Sequence, residues 1–139
     1  MTAPSQTEQA NLEKVRAAID AFNRRDREAM LALGDDDFEY DWTRSLGPNA
    51  RVYRGREELM EFIEDQWSIF EDQHLEVHEY IPRGRHVVVT ATVHGRGRQG
   101  VPVRATSAHL YTFDSGGRLV RITLFQEREE ALAAAQACR

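Results

Sequence analysis

HLYTFDSGGRLVRITLFQEREEAL, residues 109–132, reads as a strand, a glycine turn, a second strand and the start of a helix. The alternation leading into it puts Val101, Val103, Ala105, Ser107, His109, Tyr111 and Phe113 on one face of a strand over about 100–113. Asp114-Ser115-Gly116-Gly117 supplies turn residues and positive-φ freedom, and alternation resumes over 118–127. From Glu127 to Ala137 the chain becomes Ala-rich, a closing helical tail.

Upstream the period of two continues, with strands expected at 73–82 and 85–95, and turns at Arg83-Gly84 and Gly95–Gly100. Before them lie helices. Leu12, Val15, Ile19 and Phe22 make one apolar stripe over 7–25, behind a lead of residues 1–6 expected to be disordered. Asp26 is placed to cap a short second helix, which Gly34 would end in the left-handed conformation. Residues 35–42 alternate, with Phe38, Tyr40 and Trp42 on one face and Asp37, Glu39 and Asp41 on the other. Residues 43–53 read as an irregular loop. A third helix follows from 55 or 56 to 70, with Leu59, Phe62, Ile63, Trp67 and Phe70 as its buried stripe. Helices, a strand, a helix and then a long meander describe one α+β domain over 7–137, its helices on one side of a curved sheet.

Composition removes several function classes. The 139 residues carry 18 Lys+Arg against 23 Asp+Glu, a net charge of -5, so the cationic footprint that nucleic-acid backbones require is missing. Arg96 and Arg98 in HGRGRQG fit a hairpin tip better than an RNA-binding segment. No apolar run approaches the roughly 20 residues of a membrane span. The polar start, Met1–Ala10, lacks a signal-peptide layout, and the single Cys138 agrees with a reducing, cytoplasmic setting.

No metal or cofactor is expected. His74 and His78 in HLEVH would lie about 13 Å apart along a strand, too far to share one ion. Asp35-Asp36-Asp37 lacks the spaced ligands of a calcium loop and reads as a solvated turn. Cys138 has no visible activating base. Two ionisable groups stand out instead: Asp41, which ends the first strand beside Trp42, and His109, which interrupts an apolar row where burial would shift its pKa.

The layout over residues 9–132 resembles the nuclear transport factor 2-like superfamily, especially its polyketide-cyclase-like (SnoaL-like) and ketosteroid-isomerase branches. The resembling stretches are VRAAIDAFNRRDREAMLAL, DDFEYDW, YRGREELMEFIEDQW and the segment quoted at the outset. The resemblance implies a cone: a curved, mixed or antiparallel sheet of cystatin-like α+β barrel type, wrapped by N-terminal helices around an apolar cavity. It places the isomerases' general-base aspartate on Asp41, their protonated acid on His109, and their oxyanion tyrosine on Ala18, which makes ketosteroid isomerase activity unlike this chain. Asp41 and His109 are thus the catalytic candidates, and Trp42, Tyr53, Trp67, Tyr111 and Gln126 the pocket-lining ones.

Two readings follow: a cofactor-free isomerase, cyclase or lyase moving a proton on an apolar carbonyl compound, and a non-catalytic ligand-binding or dimerisation domain. The strands carry apolar residues on both faces, Val88 and Phe125 opposite Val87 and Leu124, which is the pattern of a sheet covered on both sides and leads to the expectation of a homodimer.

Overall fold

Ser5 opens the first helix through a reciprocal capping box. Its hydroxyl accepts from the Glu8 N–H, and the Glu8 carboxylate accepts from the Ser5 N–H. A computed structural model of the chain describes residues 4–33, 36–46 and 50–137. Helix α1 spans Gln6–Arg24, so Ser5 and Gln6 belong to its start and not to the expected lead. Arg25 turns left-handed at its end (φ 55°), and the Asp26 side chain caps α2, Arg27–Leu31, as expected. The expected helix stop at Gly34 lies outside the described residues.

Strand β1 is short, Glu39–Asp41, and pairs antiparallel with β2, Val52–Arg54. Strand β2 lies partly within the expected loop 43–53, because three residues are too few to show a period. Helix α3, Gly55–Ile69, starts where β2 ends. Gly55 has φ +78°, and a Cβ there would lie 3.1 Å from the Asp36 carbonyl oxygen, so the strand-to-helix corner requires glycine.

The meander follows as read: β3 Glu71–Arg83, β4 His86–Arg96, β5 Pro102–Phe113 and β6 Leu119–Phe125, closed by α4, Arg128–Ala137. The hairpin tip between β4 and β5 contains the single 3-10 turn Arg98–Gly100. The six-stranded sheet has the order β2-β1-β6-β5-β4-β3, antiparallel except for the parallel pair β1–β6. Register shifts at Glu71/His74, Val77/Glu79 and Thr112/Phe113 bend it.

The concave face receives the helices. Val15, Ile19, Leu59, Phe62 and Ile63 are buried against Val87, Val89, Ala91 and Phe113. Polar side chains tie the helices to the sheet. The Asn23 amide pairs with both the N–H and the C=O of Leu75, and the Arg25 guanidinium donates to the carbonyls of Trp67 and Phe70 at the end of α3.

The convex face also has a cover. Val88, Leu110 and Phe125 pack beneath α4, whose Ala131 and Ala135 are fully buried. The apolar second row that motivated a homodimer is therefore covered from within the chain. No helix among the described residues is long and apolar enough to cross a membrane.

Candidate functional site

The cavity arises from small side chains on the concave face. Register places Gly95, Ala105 and Ser107 on the inner surface, with Ala18 of α1 facing them, where a Leu or Phe would fill the space. The result is a cavity of about 540 Å³, within the size range of ligand sites. Aromatic groups close one end: Trp42 and Tyr40 meet Phe62 edge-on at 4.5 and 5.3 Å, and Tyr111 stands beside them. Among the described residues, no Asp, Glu, Lys or Arg lines this cavity.

His109 does. It is 6% exposed, faces inward opposite Val89 and Leu124, and its ring makes no hydrogen bond among the described residues. Burial alone pushes its imidazole down to about 4, so at neutral pH it is uncharged, with one nitrogen able to donate and the other to accept. Burial likewise pushes the Tyr40 phenol up to about 12, against a weaker opposing effect of the Trp42 indole N–H. The Tyr111 phenol is raised further by burial and by Tyr40 and Tyr80. His109, Tyr40 and Tyr111 are thus held neutral on this wall.

A neutral buried histidine leaves a pH signature. Unfolded, the imidazole titrates near 6.5, so the unfolded chain binds the extra proton first as pH falls. Stability should be fully present above about pH 6.5 and decline toward about pH 4. Urea midpoints at pH 7 and pH 5 should differ in wild type and differ less in His109→Phe. An unchanged difference in that variant would place the effect elsewhere.

Asp41 is not in the cavity. It pairs with Thr123, whose side chain is on the opposite face of β6 from Leu124, the partner of His109. The two catalytic candidates are thus on opposite faces of the sheet and cannot act on one ligand. Asp41 Oδ1 accepts from the Thr43 N–H (3.0 Å) and hydroxyl (2.6 Å), and Oδ2 accepts from Arg121 Nη2 (2.9 Å). Burial works to raise its pKa, but the Thr43 hydroxyl, the Thr43 N–H and Arg121 outweigh burial and hold it below the usual carboxylate range. This carboxylate is a staple between β1, β6 and the following turn.

Of the expected lining residues, Trp42, Tyr111 and Gln126 reach the cavity, and Gln126 also donates to the Arg44 carbonyl at 2.8 Å. Tyr53 and Trp67 do not line it. Tyr53 packs behind Phe62 at 4.9 Å under the Arg51 guanidinium, and Trp67 packs on Phe22 at 6.0 Å. Gln66 and Gln73 were missed; both line the cavity, and Gln73 Nε2 donates to Gln66 Oε1 at 3.2 Å. A signal existed for Gln66, since it falls on the apolar stripe of α3 between Ile63 and Phe70.

The two histidines of HLEVH part company. His74 stacks on His94 at 5.1 Å, while His78 Nε2 is 2.7 Å from the Thr92 hydroxyl. Among the described residues, no group of three or more His, Cys, Asp or Glu could hold a metal ion.

A bent sheet wrapped by helices around an apolar cavity defines the class of cone-shaped α+β pocket domains. The chain belongs to the SnoaL-like domain family, whose model matches residues 15–122. Among solved structures it is similar to an NTF2-like protein of unknown function from Burkholderia pseudomallei K96243 (24% identity, TM-score 0.74, covering 89% of this chain and 95% of that one). It is also similar to a protein from Jannaschia sp. CCS1 assigned as a SnoaL-like polyketide cyclase (19%, 0.77, all of both chains). A third is a Mycobacterium tuberculosis protein in complex with estradiol-17beta-hemisuccinate (16%, 0.74, 86% and 95%). No curated protein matches the sequence.

Proposed function

We propose that this protein binds an uncharged, largely apolar small molecule carrying a carbonyl or similar oxygen, with His109 as its polar contact. The observation that carries this reading is a cavity lined, among the described residues, by no Asp, Glu, Lys or Arg, into which the uncharged, unpartnered imidazole of His109 points. An ion would be left unpaired there at high cost. A ligand oxygen, by contrast, would give the imidazole the partner it lacks. The M. tuberculosis neighbour, in complex with estradiol-17beta-hemisuccinate, supports a molecule of that general size. A cytoplasmic setting, where a lone cysteine stays reduced, is proposed alongside it.

The near-isosteric pair 2-acetonaphthone and 2-isopropenylnaphthalene tests it, with Trp42 fluorescence reporting occupancy. Wild type should bind the ketone about tenfold tighter, the worth of one buried hydrogen bond, and His109→Phe should bind the two about equally. Equal affinities in wild type would refute the role given to His109.

A second reading, proton transfer next to the ligand carbonyl, is favoured by the same imidazole lying among phenols. Its Asp41 partner is gone, and a base titrating near 4 is weak at neutral pH. Deuterium exchange into the methyl group of 2-acetonaphthone, followed by NMR, would detect it. Exchange no faster with wild type than with His109→Phe would leave binding alone.

A further inference from the structure

The cavity has polar chemistry at a second place. Gln66 of α3 and Gln73 of β3 are 8% and 7% exposed, and one amide donates to the other. That bond leaves Gln73 Oε1 buried with no partner, and Gln66 Nε2 makes no hydrogen bond among the described residues. Turning both amides over gives the same balance: one bond between them, one amide oxygen and one NH2 uncommitted. A buried acceptor without a donor is rare in folded proteins and calls for an explanation. Packing alone would have been served by Leu or Met at both positions.

The position of the pair relative to His109 is fixed by the sheet. Gln73 packs on Gly95, whose missing side chain lets it approach: a Cβ there would lie 3.5 Å from the Gln73 Cα. Gly95 is six residues along β4 from Val89, the strand partner of His109, or about 20 Å before the bend of the sheet is counted. The wall between them carries Ser107, Ala105 and Val93, all small. The cavity is therefore elongated, with an imidazole near one end and an amide pair near the other.

We propose, building on the pocket reading above, that Gln66 and Gln73 form a second polar subsite, and that the ligand is an elongated uncharged molecule with a hydroxyl at the end remote from His109. A hydroxyl inserted between the amides would donate to the free amide oxygen and accept from the free NH2, filling both vacancies with one group. A ketone or ether could only accept and would leave the amide oxygen bare. A carboxylate would set a negative charge against that oxygen.

The test uses two rigid fluorescent probes, 4-hydroxystilbene and 4,4′-dihydroxystilbene, titrated against wild type, Gln66→Leu, Gln73→Leu and His109→Phe. Wild type should prefer the diol by about fivefold or more, a single net hydrogen bond on top of the twofold advantage of a symmetric ligand. Both glutamine variants should lose that preference down to about twofold while binding the mono-ol within about threefold of wild type. Gln66→Met, which keeps length and flexibility, should behave like Gln66→Leu and guards against a packing artefact. A full diol preference in all three glutamine variants overturns the subsite. The two readings fail separately: if neither stilbene binds wild type, the pocket reading falls and takes this one with it. If both bind and His109→Phe weakens both, but the glutamine variants keep the ratio, only the subsite falls.

Discussion

Asp41→Ala should lower the unfolding free energy by about 2–4 kcal/mol and leave the affinity for 2-acetonaphthone within about threefold of wild type. The carboxylate is nearly buried, accepts three hydrogen bonds and pairs with Arg121 across the β1–β6 seam. Without it, a guanidinium and a backbone N–H lose their acceptor at the one place where the sheet is parallel. Asp41→Asn should cost less, because an amide oxygen can still receive the Thr43 bonds. The gap between wild type and Asp41→Ala should also close in acid. A carboxyl held below its unfolded pKa contributes stability above about pH 4, and that contribution disappears as pH falls through the folded value. Loss of binding with a stability change under about 0.5 kcal/mol would reinstate Asp41 as a ligand contact.

Phe62→Ala is expected to be more damaging, about 3–5 kcal/mol in urea melts. Its ring is 4% exposed and touches Tyr40, Trp42 and Tyr53 at centroid distances of 5.3, 4.5 and 4.9 Å. Removing it takes the contact from all three at once, and they come from β1, the turn after it and β2, so local repacking cannot fill the gap. The hole would also adjoin the cavity and enlarge it. A loss below about 1 kcal/mol would mean that α3 is peripheral to the fold.

The alternation of residues 35–42 had already separated Asp41 from the aromatic face, and the structure keeps that separation. Asp41 entered the expected site by its place at the end of a strand beside Trp42, and the resemblance to isomerases, which aligns by that same place, reinforced it. In a strand the side chain changes face with every residue, so a register error of one is enough to turn a cavity group into an outer one. The residue of β1 that does face the cavity is Tyr40. His109 was legible because its row, Val103 to Phe113, is long enough to fix the parity of every member. The meander and α3 were readable for the same reason.

Short or composite features were not readable. Strand β2 has three residues. The burial of Val88 and Phe125 by α4 depends on a contact between the convex face and a helix whose Ala-rich sequence gives little amphipathic signal. Gln66 and Gln73 carry meaning only together, and they meet across two elements.

The attachment of Asn23 to Leu75 bears on how this chain avoids its own kind. Strand β3 is a free margin of the sheet, and a straight margin is a template on which another chain can add a strand and begin a fibril. Here an amide side chain occupies the donor and the acceptor of one rung as a neighbouring strand would. The irregularity at Val77/Glu79 then throws the next rungs out of step, and Pro82 removes one donor near the far end. The opposite margin, β2, offers only three residues. A protein with an apolar hollow on one face of its sheet has therefore also blunted both margins against growth by strand addition.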